Sequence, residues 1–364
     1  MRRIKKIHFF IIFITLILGF SIYKNTDQTI LPRTLDVKNA IIVGWDATQR
    51  DHLYELLDNG KLPNLKKFIS SGSIIDITIT TGTTSTKPGW AEILTGYGPD
   101  ITGVYSNFDY KPIPQGYTIF ERLEEYFKKE GITTAFISGK RHGTGAKGSH
   151  EICLNCIPAH RNYVRSIIEL EDAGTLGRST DVEWWEINGA EIHLPGVDPI
   201  FERRDGEPYY YTKDTIDTYV IDLGGANSVG EEAIDFLNKY KEQRFFAFFH
   251  FGDADTAGHE YGENSIEYSN AIIIYDQWFG DIISKLKEME IENETLVYIT
   301  SDHGFDEGRK THENASDFFL ATNNREIVKD GDRKDIAPTL LWNYGFDIKS
   351  IFPSLSGTVL AEEK

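Results

Sequence analysis

Apolar, β-branched runs alternate along the chain with amphipathic stretches. Residues 39–47 (NAIIVGWDA) are continuously apolar until Asp46. This pattern predicts a strand buried on both faces that delivers a carboxylate at its carboxyl end. Residues 60–72 (GKLPNLKKFISSG) read as a helix closed by Gly72. Residues 119–131 (IFERLEEYFKKEG) read as another helix with a glycine stop, before the strand 132–138 (ITTAFIS). Helix 230–243 leads into strand 244–251 (RFFAFFHF), helix 275–290 into the strand segment 292–304 (ENETLVYITSDHG), and 334–345 is a late helix. Alternation of this kind, with polar residues gathered at strand ends, predicts an α/β fold. The expected core is a doubly wound, mostly parallel central β-sheet flanked by helices, with ligands beyond its carboxyl edge. Residues 143–225 break the pattern, being rich in Gly, Tyr and charge, and read as an irregular insertion that covers the site.

Composition narrows the function. The 364 residues suffice for one large α/β domain with a sizeable core. A net charge of −18 argues against general binding of DNA or RNA, which needs clustered cations. The opening MRRIKK and the apolar run 8–23 predict, within residues 1–30, a signal peptide or membrane anchor with part of a polar linker. Residues 31–364 are then one domain working outside the cytoplasm. The poor cleavage site after the apolar run favours the uncleaved anchor. The two cysteines, Cys153 and Cys156, lie in a CxxC and are expected to form a local structural disulfide.

The stretch 84–96 (TSTKPGWAEILTG) places Thr86 where a helix begins, with Pro88 expected at the first helical position. A helix start offers free N–H groups and the positive end of a dipole, which suits an anion held beside a nucleophile. The other strand-end polar residues are Asp46, Asp255 with His259, Asp302 with His303, and His312. Three Asp and three His are what two neighbouring divalent ions require, and the imidazole–carboxylate mixture favours zinc over calcium or magnesium.

In this order the motifs resemble the alkaline phosphatase superfamily, most closely its nucleotide pyrophosphatase/phosphodiesterase and sulfatase-like branches. Thr86-Lys87-Pro88-Gly89 matches the nucleophile motif, and Asn107 in TGVYSN matches a contact to phosphoryl oxygens. Asp255 to Gly262, the SDHG segment and His312 match the metal-binding elements. The resemblance implies an alkaline phosphatase-like catalytic domain that holds two zinc ions. One is assigned to Asp255, His259 and His312; the other to Asp46, Asp302 and His303, with Thr86 Oγ beside it. It further implies hydrolysis of a small anionic phosphate ester through a phospho-threonine, the oxygens held by Asn107 and by backbone N–H groups after Thr86. GKRH (139–142) is similar to a sulfatase segment, which makes Lys140 and His142 substrate contacts.

Thr86 cannot become the formylglycine of a sulfatase, which disfavours sulfate esters. A phosphotransferase or phosphonate-cleaving enzyme would use the same ligands, and a non-catalytic exported binding protein is the remaining alternative. Lys87, Lys140 or Arg141 would suit a monoester. Trp90, Trp184, Trp185 or Tyr209–Tyr211 would supply the apolar surface a diester needs. The sequence leaves that choice and the oligomeric state open.

Overall fold

The computed structural model describes residues 37–153, 157–158, 191–192 and 200–362. The expected N-terminal signal or anchor, Cys156 with its disulfide, Trp184, Trp185 and much of the 143–225 insertion lie outside the described residues. The described residues form eleven strands: β1 (Asn39–Trp45), β2 (Ser73–Thr78), β3 (Thr133–Ser138), β4 (His150–Cys153), β5 (Ile157–Pro158), β6 (Glu191–Ile192), β7 (Phe201–Arg204), β8 (Thr218–Val220), β9 (Phe245–Phe251), β10 (Thr295–Thr300) and β11 (Asp317–Thr322). Seven of them make the central sheet, in the order β2-β11-β10-β1-β9-β3-β8. Strands β10, β1, β9, β3 and β8 run parallel, whereas β11 is antiparallel to both β10 and β2.

The apolar run of β1 explains why it sits mid-sheet. Ile41, Val43 and Trp45 point to one face, against the helices Arg50–Asp58, Pro63–Ser71, Ala226–Tyr240 and Ile266–Glu288. Ala40 and Ile42 point to the other, against Thr86–Thr95, Ile119–Phe127 and Ile336–Asn343. All seven β1 residues are buried, as a strand covered on both sides must be.

The directions of the strands decide where chemistry collects. The carboxyl ends of β1, β3, β9 and β10 share one edge. Because β2 is antiparallel to β11, and β11 to β10, β2 also ends there and leads to the Thr86 helix. β11 runs the other way, so its amino end, preceded by His312, meets the same edge.

Several expected boundaries shift. Pro88 is the third residue of its helix, not the first, because the helix starts at Thr86. Proline is tolerated through the first turn, where N–H groups lack intrahelical acceptors. The helix from Ile119 stops at Phe127, where Lys128 takes φ 64°, and only a 3₁₀ turn continues to Gly131. The helix read from 275 begins at Ile266, capped by the Ser265 side chain accepting from the Tyr268 amide. Finally, the 143–225 region is not wholly irregular. β4 pairs with β7, and β8 forms the edge of the central sheet. Among the described residues, no helix is long and apolar enough to cross a membrane.

Candidate active site

Asp46 follows β1 directly and is fully buried. Its Oδ2 accepts from His250 Nε2 at 2.8 Å and from Lys140 Nζ at 3.1 Å. Ala47 donates its amide to Asp302 Oδ1 at 3.2 Å, which ties the end of β1 to the end of β10. Asp255 and His259 lie one turn apart on the helix Asp253–Tyr261 that follows β9, with His259 Nε2 3.4 Å from Asp255 Oδ1. Asp255 Oδ2 accepts from Lys140 Nζ at 2.6 Å. His303 stacks on His312, ring centroids 4.1 Å apart, and the His259 and His312 rings are 5.0 Å apart.

Thr86 is 2% exposed, and its hydroxyl lies 3.4 Å from His303 Nε2. Gly89 makes this approach of helix to strand end possible, since a Cβ there would stand 2.7 Å from Asp302 Cβ. Asn107 Oδ1 accepts the Lys87 amide at 3.0 Å, leaving the Asn107 amide nitrogen as a donor at the helix start. That bond corrects one expectation. The Lys87 N–H is taken by Asn107, Pro88 has none, and Gly89 N–H bonds Ser85 O at 3.0 Å, so the backbone after Thr86 offers no free donors for phosphoryl oxygens.

The donor set fits divalent cations. Asp46 Oδ1, Asp255 Oδ1 and Asp302 Oδ2 are buried without a hydrogen-bond partner, an arrangement that is costly unless a cation or donor completes it. His303 Nδ1 faces Gly304 O at 2.8 Å, and His259 Nδ1 faces Lys310 O at 2.9 Å. A carbonyl only accepts, so both rings carry the proton on Nδ1 when neutral and offer an Nε2 lone pair to the site. Two groups bring ligand atoms within 4.8 Å of one another: Asp255 with His259 and His312, and Asp46 with Asp255 and His303. The first has the membership expected from the resemblance. In the second, Asp255 stands where Asp302 was expected, because Asp302 Oδ1 is turned to the Ala47 amide; its Oδ2 remains 3.4 Å from His303 Nε2.

Electrostatics describe an anionic pocket short of positive charge. Burial opposes ionisation of all three carboxyls. It is outweighed only by several partners together, Lys140 with His250 at Asp46 and Lys140 with His259 and His303 at Asp255, which hold the first below and the second well below the usual carboxylate range. Asp302, buried and facing the Asp46 carboxylate, is pushed well above that range. Burial and the neighbouring His312 ring bring the His303 imidazole down to about 3. Lys87, 5% exposed with its ammonium 4.7 Å over the Tyr110 ring, is pushed down to about 8 by burial, against the pull of Glu207. His142 is open to solvent on one side, yet packed among enough protein, and close enough to the Lys87 and Lys140 ammoniums, to lie well below the ordinary imidazole value.

His250 escaped the sequence reading because it sits in the otherwise apolar run FFAFFHF, where a lone imidazole reads as core. Its place at the strand's carboxyl end was the available signal. Ser138 Oγ, 2.8 Å from His250 Nδ1, completes the support beneath Asp46. Lys140 lies in the site, but its observed partners are carboxylates. Trp90 and Tyr209 are core residues with no exposed surface, so neither supplies an apolar wall for a second ester group.

The chain is similar to known proteins over most of its length. The model of the family described as Type I phosphodiesterase / nucleotide pyrophosphatase matches residues 40–354. The bis(5'-adenosyl)-triphosphatase ENPP4 of Homo sapiens is 23% identical over 299 residues, 81% of this chain and 51% of the relative. The Pongo abelii protein of the same name gives 23% over 299 residues, 81% and 52%. The chain therefore spans about half the length of these relatives. Among solved structures, a variant of the alkaline phosphatase PafA has a TM-score of 0.57 at 12% identity, covering 89% of this chain and 98% of the other. The lipoteichoic acid synthase LtaP from Listeria monocytogenes has a TM-score of 0.51 at 12% identity, covering 90% and 75%. These two likenesses concern the fold, which is that of the alkaline phosphatase superfamily.

Proposed function

The chain belongs to the type I phosphodiesterase / nucleotide pyrophosphatase family, hydrolases of phosphoester bonds, and from that premise we propose that it is an extracytoplasmic two-zinc phosphoric ester hydrolase using Thr86 as nucleophile. The observation that carries the proposal is the Thr86 hydroxyl, 3.4 Å from His303 Nε2, at a sheet edge where three buried carboxylate oxygens lack a hydrogen bond. Asp255, His259 and His312 would hold one ion, and Asp46, Asp302 and His303 the other. When bound, such ions lower the pKa of a coordinated hydroxyl and offset charge on phosphoryl and leaving oxygens.

The chain's own residues account for the rest. Thr86 Oγ attacks phosphorus as the bond to the ester oxygen breaks, and that oxygen leaves with the bonding pair and takes up a proton. Water then attacks the phospho-threonine, breaks the Thr86 Oγ–phosphorus bond and restores the hydroxyl, so one water is consumed per ester. Asn107 holds a phosphoryl oxygen through its amide nitrogen while its Oδ1 fixes the helix start. Lys140 and His142 lie close enough to bear on the substrate's charge. The basic and apolar opening of the chain supports a location outside the cytoplasm.

The test is metal content, followed by rates on matched aryl phosphate monoester, aryl phosphate diester and aryl sulfate. Bound zinc and hydrolysis of a phosphate ester are expected, and the two phosphate arms decide monoester against diester. Preference for the sulfate, or turnover unaffected by thorough chelation, contradicts the proposal.

A further inference from the structure

Three carboxylates converge at the sheet edge, with Asp46 and Asp302 fully buried and Asp255 8% exposed. Like charges this close repel strongly at low dielectric. One ammonium answers two of them. Lys140 Nζ is 3.1 Å from Asp46 Oδ2 and 2.6 Å from Asp255 Oδ2, and its side chain is only 16% exposed. Under the ion assignment proposed above those two carboxylates serve different ions, while in the structure Asp255 lies within reach of both ligand groups. In each carboxylate, the Oδ2 is taken, by Lys140 alone or by Lys140 with His250, and the Oδ1 is the oxygen left without a hydrogen bond, with His259 Nε2 3.4 Å from that of Asp255.

The path of the lysine is built into the backbone. It leaves the end of β3, where Ser138 Oγ accepts its amide at 3.2 Å, and its stem crosses Gly252 at the end of β9. A Cβ at position 252 would collide with Cγ and Cδ of Lys140, so a glycine clears the slot.

We propose that Lys140 is a resident counter-ion: its ammonium bridges Asp46 and Asp255, holds the two carboxylates together in place when no divalent ion is bound, and thereby sets how tightly ions are held. The inference rests on the metal-dependent reading above. It gives Lys140 a positioning role that does not depend on touching substrate. The sign follows from charge. Without ions the ammonium relieves carboxylate repulsion; with ions present it is a nearby like charge. Removing it therefore weakens the ion-free protein and strengthens ion binding together, as linkage requires.

Lys140→Met keeps length and bulk while removing charge, and Lys140→Arg keeps charge. Melting of the full chain is followed in chelator and in excess zinc, with calorimetric titration of zinc into the chelated protein. Lys140→Met in chelator should melt below wild type, show a larger upward shift with zinc, and bind zinc at least about tenfold more tightly. Lys140→Arg should stay near wild type in all three. A Lys140→Met protein that folds only when zinc is present also supports the role. If wild type shifts with zinc and Lys140→Met shifts equally or less, loses bound zinc, or fails to fold even with zinc, the counter-ion role is overturned while the metal reading stands. If wild type binds no divalent ion at all, both fall.

Discussion

The two halves of the site are made of different material. Asp46, Asp302 and His303 are fully buried at the ends of adjacent central strands, tied by the bond from Ala47 N–H to Asp302 Oδ1. Asp255, His259 and His312 come from a helix and a loop, and the His259 side chain is 46% exposed. Charges in the first group interact at low dielectric, whereas in the second Asp255 is buried but His259 is exposed and His312 half-buried, so its imidazoles are partly screened by solvent. Thr86, the proposed nucleophile, stands with the rigid half, its hydroxyl facing His303. On the proposed function, the comparison teaches that the sheet would fix the chemistry while the open half would exchange its ion more freely.

The sharpest way to break that division is Thr86→Ala. Turnover should fall at least about 10³-fold with zinc content unchanged, measured by rates and metal analysis together. Asp302→Ala and His259→Ala test the halves against each other. Asp302→Ala should lose half of the bound ion and most turnover at any zinc concentration. His259→Ala should also lose ion after dialysis, yet regain it, and part of its activity, in excess zinc. Equal behaviour of the two variants would erase the distinction. Asn107→Ala should lower kcat about 10²-fold with zinc content intact, as removal of one oxyanion donor does. Ser138→Ala, which unseats His250 beneath Asp46, should weaken zinc binding about tenfold, read by calorimetry.

How much of this could be read from the sequence depended on whether a polar residue interrupts or ends its element. Asp46 and Asp302 were visible because each closes an apolar strand, and the parallel sheet follows from the same runs. His250 was hidden by the aromatic residues around it. β8 was hidden because its three residues lie in a stretch with no hydrophobic period, and only pairing with β3 makes it a strand. Lys140 was singled out by its motif. Its partners, however, come from residues 94 and 115 positions further along or back in the chain, a separation that local pattern does not encode. Trp90 looked like a surface for substrate because aromatic residues beside a nucleophile often are; here it packs on Phe248 and His250 inside the core.

The most direct measurement is mass analysis of the enzyme acid-quenched during turnover of an aryl phosphate ester. A phosphoryl adduct on the peptide carrying Thr86, formed and lost at rates consistent with turnover, is the predicted result. Sustained turnover by Thr86→Ala, or an adduct on another residue, would contradict the account.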